Sequence, residues 1–136
     1  MNKKQLIDFH NNIFIKYIYD MNIVFENLNA DDFSSYPASR HVIVPRCVMD
    51  NPTEWSLFAF LHEIGHVMTY VKGQKRCHQE YLATQWAIEE AKNIGFNIPD
   101  RFINTYQKYI YKWRETGIKH GAKNMPSIED LKLTII

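Results

Sequence analysis

His62-Glu63-Ile64-Gly65-His66 is the feature that most constrains this chain. Residues four apart on an α-helix are neighbours on one face, so the two imidazoles stand side by side. They can meet one metal ion, as the HExxH spacing does in zinc sites. Glu63 lies about 100° round the axis from His62, beside such an ion rather than on it. From there it can take a proton from a water held at the metal. Zinc suits this chemistry because it polarises water and a carbonyl without changing oxidation state. At this chain's content of histidine and glutamate, the pattern arises by accident roughly 0.015 times per sequence, so chance is a poor explanation.

The residues around the motif describe its helix. Leu57, Phe60, Leu61, Ile64, Val67, Met68 and Val71 cluster opposite the histidines, while Trp55, Phe58 and Ala59 flank them. A helix apolar on most sides is buried on most sides, and two histidines on it are costly to bury without partners. Asn51 as N-cap, Pro52 at the first helical position and Glu54 closing a capping box predict its start; Gly73 predicts its stop. The helix is expected over about Pro52 to Lys72.

Other segments fit around it. Leu6, Phe9, Ile13, Phe14, Tyr17 and Ile18 predict an amphipathic helix over about Lys3 to Asp20. Ile23-Val24-Phe25 reads as a short strand. Asp31 to Ser39, polar and holding Pro37, reads as a loop. His41-Val42-Ile43-Val44 is a strand near a sheet edge, because Pro45 follows. Further helices are expected from His78 to Ile94, ending at Gly95, and from Pro99 to about Gly117. Ser127 to Asp130 resembles a helix start, and Leu131 to Ile136 a further strand. The expected fold is α+β and helix-rich, one domain over residues 1–136 with a small sheet.

A zinc enzyme of this kind needs a third protein ligand and an open position. Glu80 is the best candidate, because it shares a helix face with Ala83, Thr84, Ala87 and Ala91. Small side chains let two helices approach closely, which brings a carboxylate to the neighbouring helix's metal. His78 and Cys77 are rivals in the same segment but lie off that face. Glu89 and Glu90 read as solvated charge, Cys77 as a free thiol and Cys47 as a small core residue. His10 and His41 are expected to be structural or surface residues, and His120 to sit in a surface loop. Tyr70, Tyr81 and Tyr106 are each possible oxyanion donors.

Composition narrows the partners. Sixteen basic residues against fifteen acidic ones give a net charge of +1, with no general pull towards nucleic acid or an anionic membrane. No apolar run approaches the roughly 18 residues of a membrane span. No signal-peptide core follows Lys3-Lys4, since Asp8, His10, Asn11 and Asn12 interrupt it. Two cysteines make no disulfide framework. A cytoplasmic protein is expected.

At His62-Glu63-Ile64-Gly65-His66 and Glu80-Tyr81-Leu82-Ala83, with Trp86 and Ala87 beyond, the chain resembles the ImmA/IrrE family of small gluzincin-type metallopeptidases. The resemblance covers about Val42 to Ala91. It implies a zincin-like domain of bacterial or phage type whose relatives inactivate a repressor. Carried over, His62, His66 and Glu80 bind Zn2+ and Glu63 is the catalytic carboxylate. Thirteen residues separate His66 from Glu80, a short spacing for the family. No helix-turn-helix segment is evident, so a DNA-linked role comes through a partner protein.

The expected activity is therefore zinc-dependent endopeptidase action on a protein substrate such as a transcriptional repressor. The strand at His41 to Val44 either pairs with an extended substrate or is an ordinary sheet strand. One alternative is a zincin-shaped protein that sequesters a regulator or defence factor uncut, although such a binder has no need of Glu63. Another is a metal hydrolase acting on a non-peptide substrate.

Overall fold

The computed structural model describes residues 1–26 and 32–135. Its fold is α+β. Helix α1 (Lys3–Tyr17) leads to strand β1 (Asn22–Glu26), then to β2 (Ser34–Tyr36), a 3-10 turn at Pro37–Ser39, and β3 (His41–Pro45). A short helix α2 (Arg46–Asp50) precedes three long ones: α3 (Glu54–Met68), α4 (Arg76–Ile94) and α5 (Asp100–Lys119). None of the described helices is long and apolar enough to cross a membrane.

Helix α3 starts and stops inside the expected limits. Thr53, not Asn51, is its N-cap: the Ser56 amide donates to Thr53 Oγ1 at 3.0 Å, and the Thr53 amide donates to Ser56 Oγ at 2.9 Å. That reciprocal pair satisfies two end donors at once. Asn51 instead follows α2 as its C-cap. At the other end, Thr69 donates both its hydroxyl (2.7 Å) and its amide (3.0 Å) to the Gly65 carbonyl, closing the helix before Gly73. Met68 and Val71 consequently lie exposed rather than in the core.

The sheet order is β1-β3-β2, with β1 parallel and β2 antiparallel to β3. The His41 strand is thus central, not near an edge. Pro45 is its last residue, so the missing N–H spares the ladder, and Val42 and Val44 are fully buried. Being paired on both sides, β3 has no free edge for strand addition. The expected loop holds β2 and the 3-10 turn, because the ladder to β3 supplies order that Ser34-Ser35-Tyr36 does not signal by itself; Asp31 lies outside the described residues.

Smaller corrections have local causes. Helix α4 begins at Arg76, two residues early, and ends at Gly95 (φ 83°) as expected. Helix α5 continues through Gly117, against which Met125 packs so closely that an added Cβ would lie 2.7 Å from its methyl. The tail forms a 3-10 turn at Glu129–Leu131 rather than a strand. Side-chain amides take the place of a strand partner there: Gln107 bonds Leu131 and Leu133, and Gln85 bonds Thr134 in both directions. Ile136 is outside the described residues.

Leu57, Phe58, Phe60, Leu61 and Ile64 on α3 are all fully buried. Each contributes on the order of 1.5–3 kcal/mol, so α3 is the anchored element of the core. Ala83, Thr84, Ala87 and Ala91 on α4 are equally buried, and this stripe of small residues lies in the packed interior as their shared face implies.

Candidate metal centre

Two helices build the centre. His62 and His66 project from α3, with ring centroids 4.6 Å apart and planes at 86°. Glu80 comes from α4 and is 2% exposed. Its Oε2 lies 2.9 Å from His62 Nε2 and 3.0 Å from His66 Nε2. The other rivals stay away: Cys77 is buried in the core, and His78 Nδ1 faces the Gln74 side-chain amide at 3.3 Å.

Each of these groups is held by a neighbour. Thr84, one turn after Glu80, donates its hydroxyl to the Glu80 carbonyl at 2.7 Å. Its oxygen then accepts from His62 Nδ1–H at 3.1 Å, which turns Nε2 towards Glu80. This is how an outer group orients a metal-binding imidazole. Arg76 Nη2 holds the remaining Glu80 oxygen, Oε1, at 2.8 Å, and its guanidinium lies over the Trp113 ring at 4.9 Å. Burial pushes the Glu80 carboxyl up, but hydrogen bonds and charge from His62 and His66 outweigh it and hold the group well below the usual carboxylate range.

Glu63 is half-buried on the same face of α3, and its Oε2 accepts a 2.5 Å hydrogen bond from Ser35 Oγ on β2. Ligand atoms of His62, Glu63 and His66 all lie within 4.8 Å of one another, close enough to hold a metal ion. Two carboxylates thus compete for the third position. Glu80 has one oxygen near 3 Å from both imidazole nitrogens, whereas Glu63 has an oxygen tied to β2. Ligand atoms around a tetrahedral zinc ion stand about 3.3 Å apart, close to the 2.9 and 3.0 Å between Glu80 Oε2 and the two imidazole nitrogens.

A cleft of about 610 Å³ opens over these groups, lined from β2 by Ser34 and Ser35, from α3 by the motif, and from α5 by Thr105, Tyr106 and Tyr109. Tyr106 is the one of the three tyrosine candidates placed there, its ring 4.7 Å from His62. Burial, then the charges of Glu63 and Glu80, push its phenol pKa up, keeping it a protonated donor. Tyr70 is exposed elsewhere, and Tyr81 packs against the core.

The remaining expectations divide. His10 is structural: fully buried, it donates from Nδ1 to the Leu6 carbonyl (2.7 Å) and meets Ser56 Oγ through Nε2 (3.1 Å). His41 is half-buried beside Tyr36, and His120 is an exposed C-cap of α5. Burial pushes the Cys77 thiol up, against thiolate ligation. Cys47 is half-buried, not a core residue, because α2 sets it on the rim beside buried Val48. Glu89 is exposed, but Glu90 is buried and paired with Lys16 of α1 at 2.9 and 3.0 Å. The packing of α1 on α4 removed it from solvent.

Sequence reasoning missed Ser35, Arg76 and the orienting role of Thr84. Arg76 carries a signal, since it lies four residues before Glu80. Ser35 carries none; the sheet alone delivers it. Comparison with family models, curated proteins and solved structures finds no match to this chain.

Proposed function

We propose that this chain is a zinc-dependent endopeptidase of ImmA/IrrE type, cutting a protein substrate of the repressor or regulator class. The observation that carries the reading is the convergence of His62 Nε2, His66 Nε2 and Glu80 Oε2, with Glu63 beside them at the floor of an open cleft. His62, His66 and Glu80 would hold the ion. Zinc, when bound, supplies a Lewis acid that polarises a water molecule and the scissile carbonyl.

The chain's own residues do the rest. The Glu63 carboxylate takes a proton from the attacking water, whose oxygen adds to the carbonyl carbon. As the C–N bond breaks, Glu63 returns that proton to the leaving amine. Ser35 bonds Oε2, so the base is held while its other oxygen remains for proton transfer. Tyr106, kept protonated, is the donor for negative charge on the carbonyl oxygen. With β3 paired on both sides, β2 offers the sheet edge beside the cleft to an extended substrate.

The test pairs metal analysis of the purified protein with Glu63→Gln, assayed against candidate repressors of its own genetic neighbourhood by mass spectrometry. About one zinc per chain is expected in both forms. Wild type should leave a cut regulator and Glu63→Gln an intact, active one. If the variant inactivates the regulator as well as wild type does, cleavage is not the function and sequestration takes its place.

A further inference from the structure

We propose that the substrate carries an aromatic or long aliphatic side chain next to the scissile bond, and that Ala59 sets the size of the pocket receiving it; this rests on the peptidase reading above. Trp55, Ala59 and Glu63 follow at intervals of four on α3 and all line the cleft. Each interval advances about 6 Å along the axis. Ala59 is therefore one turn from the base, at the distance of a side chain flanking the bond under attack.

Aromatic residues line the same cleft as Ala59 and are packed against one another. Trp55 keeps 41% of its surface exposed although its ring packs edge-on against Phe102 at 4.9 Å and lies 5.4 Å from Tyr106. Phe33 lines the cleft from the β2 side, stacked on buried Phe60 at 5.8 Å. Packed rings along a concave surface, with Trp55 partly exposed, mark a place for an apolar partner. Ala59 is half-buried and lines the same cleft, so a larger side chain at this position would take up part of its volume. Charge favours the same occupant. Asp32, Glu63 and Glu80 line the cleft, and Arg76, the one cationic side chain among its described lining residues, is already paired with Glu80. An acidic side chain finds no free cationic side chain among the described lining residues.

The experiment presents the zinc-loaded protein with a mixture of synthetic peptides and maps the cut bonds by mass spectrometry, beside Ala59→Leu and Trp55→Ala. Wild-type cuts should concentrate at bonds flanked by Phe, Tyr, Trp, Leu or Met. Ala59→Leu should move the preference towards Ala and Gly by about 10- to 200-fold, the range a change of hydrophobic-pocket size produces, with zinc content unchanged. Trp55→Ala, which adds no volume, should weaken the preference without reversing it. Cuts flanked equally by charged and apolar residues, or an Ala59→Leu pattern identical to wild type, overturn the proposal. A second readout needs no turnover: the Trp55 indole N–H signal in NMR should shift with N-acetylphenylalaninamide, not with the aspartate analogue, and Ala59→Leu should abolish the shift. No such shift overturns the pocket whatever is cut. A shift without any cleavage overturns the peptidase reading and leaves the pocket standing.

Discussion

Gly65 of α3 packs directly against the Ala83 carbonyl of α4, so closely that a Cβ at position 65 would collide with that oxygen. The obstacle is backbone, which cannot swing aside as a side-chain end can. This contact sets the distance between the helix that carries the two histidines and the helix that carries Glu80. The glycine inside the HExxH motif is therefore a spacing residue for Glu80.

Gly65→Ala should destabilise the fold. The added helix propensity is worth about 1 kcal/mol, but forcing a methyl into packed backbone costs on the order of 1–3 kcal/mol, and a rigid carbonyl puts this case at the upper end. Urea denaturation should show a net loss of about 1–2 kcal/mol, and a zinc titration a weaker site. Unchanged stability would mean that the helices are not in contact at this point.

Zinc affinity should follow the contacts of Glu80. Glu80→Ala should weaken binding by more than the 10- to 100-fold typical of losing an outer partner, whereas Cys77→Ser and His78→Ala should change it little. Competition with a chelating dye measures all three. Removal of the metal by His78→Ala, with Glu80→Ala still loaded, would dismiss the assignment.

Thr84 provides a separate test of how His62 is oriented. Thr84→Val keeps the shape but strips the oxygen that accepts from His62 Nδ1–H. Zinc affinity should drop about 10- to 100-fold, and Thr84→Ser should restore most of it. A Val variant that binds as wild type does would show that the hydroxyl orients nothing.

Ser35→Ala frees Glu63 without touching the ligand set. A hydrogen bond to a charged group is worth about 1.5–3 kcal/mol, so a rate loss of roughly tenfold or more is expected, with zinc content unchanged. The loss should fall on kcat rather than KM, since the substrate's own contacts remain. An effect confined to KM would place Ser35 in substrate binding instead.

His10 makes stability depend on pH. Burial, only partly opposed by the bond to Leu6, lowers its pKa below the ordinary 6.5. Between the lowered folded value and 6.5 the unfolded chain binds more protons, so stability rises with pH across that window. The contribution is fully present above about pH 6.5 and is lost as the pH falls towards the folded value. His10→Gln should flatten this part of the profile when denaturation midpoints are compared with wild type, a chelator being present in both. Parallel profiles would show that His10 does not titrate differently in the fold.

Much of the candidate site was legible because helices encode neighbours locally. Four-residue spacing put His62 beside His66, and the run from Ala83 to Ala91 marked the face that lets Glu80 in. Both readings need only the geometry of one helix at a time. Arg76 was within reach of the same rule but lay before the expected start of α4, outside the segment being read. Helix ends were less legible, because Asn51 and Thr53 both offer caps, and only the completed bonds to Ser56 decide between them.

The sequence by itself determined an α+β fold with an HExxH helix at its centre, two adjacent imidazoles and a carboxylate on a small-residue face. Tertiary structure alone decided that β3 is central, that Ser35 reaches Glu63, that Tyr106 rather than Tyr70 or Tyr81 enters the cleft, and that Glu90 is buried against Lys16. The reason is the range of the forces involved. Helical periodicity is written within a few residues, whereas Ser35 lies 28 positions from Glu63 and Lys16 lies 74 from Glu90. Such pairs exist only after sheet pairing and helix packing have brought distant segments together.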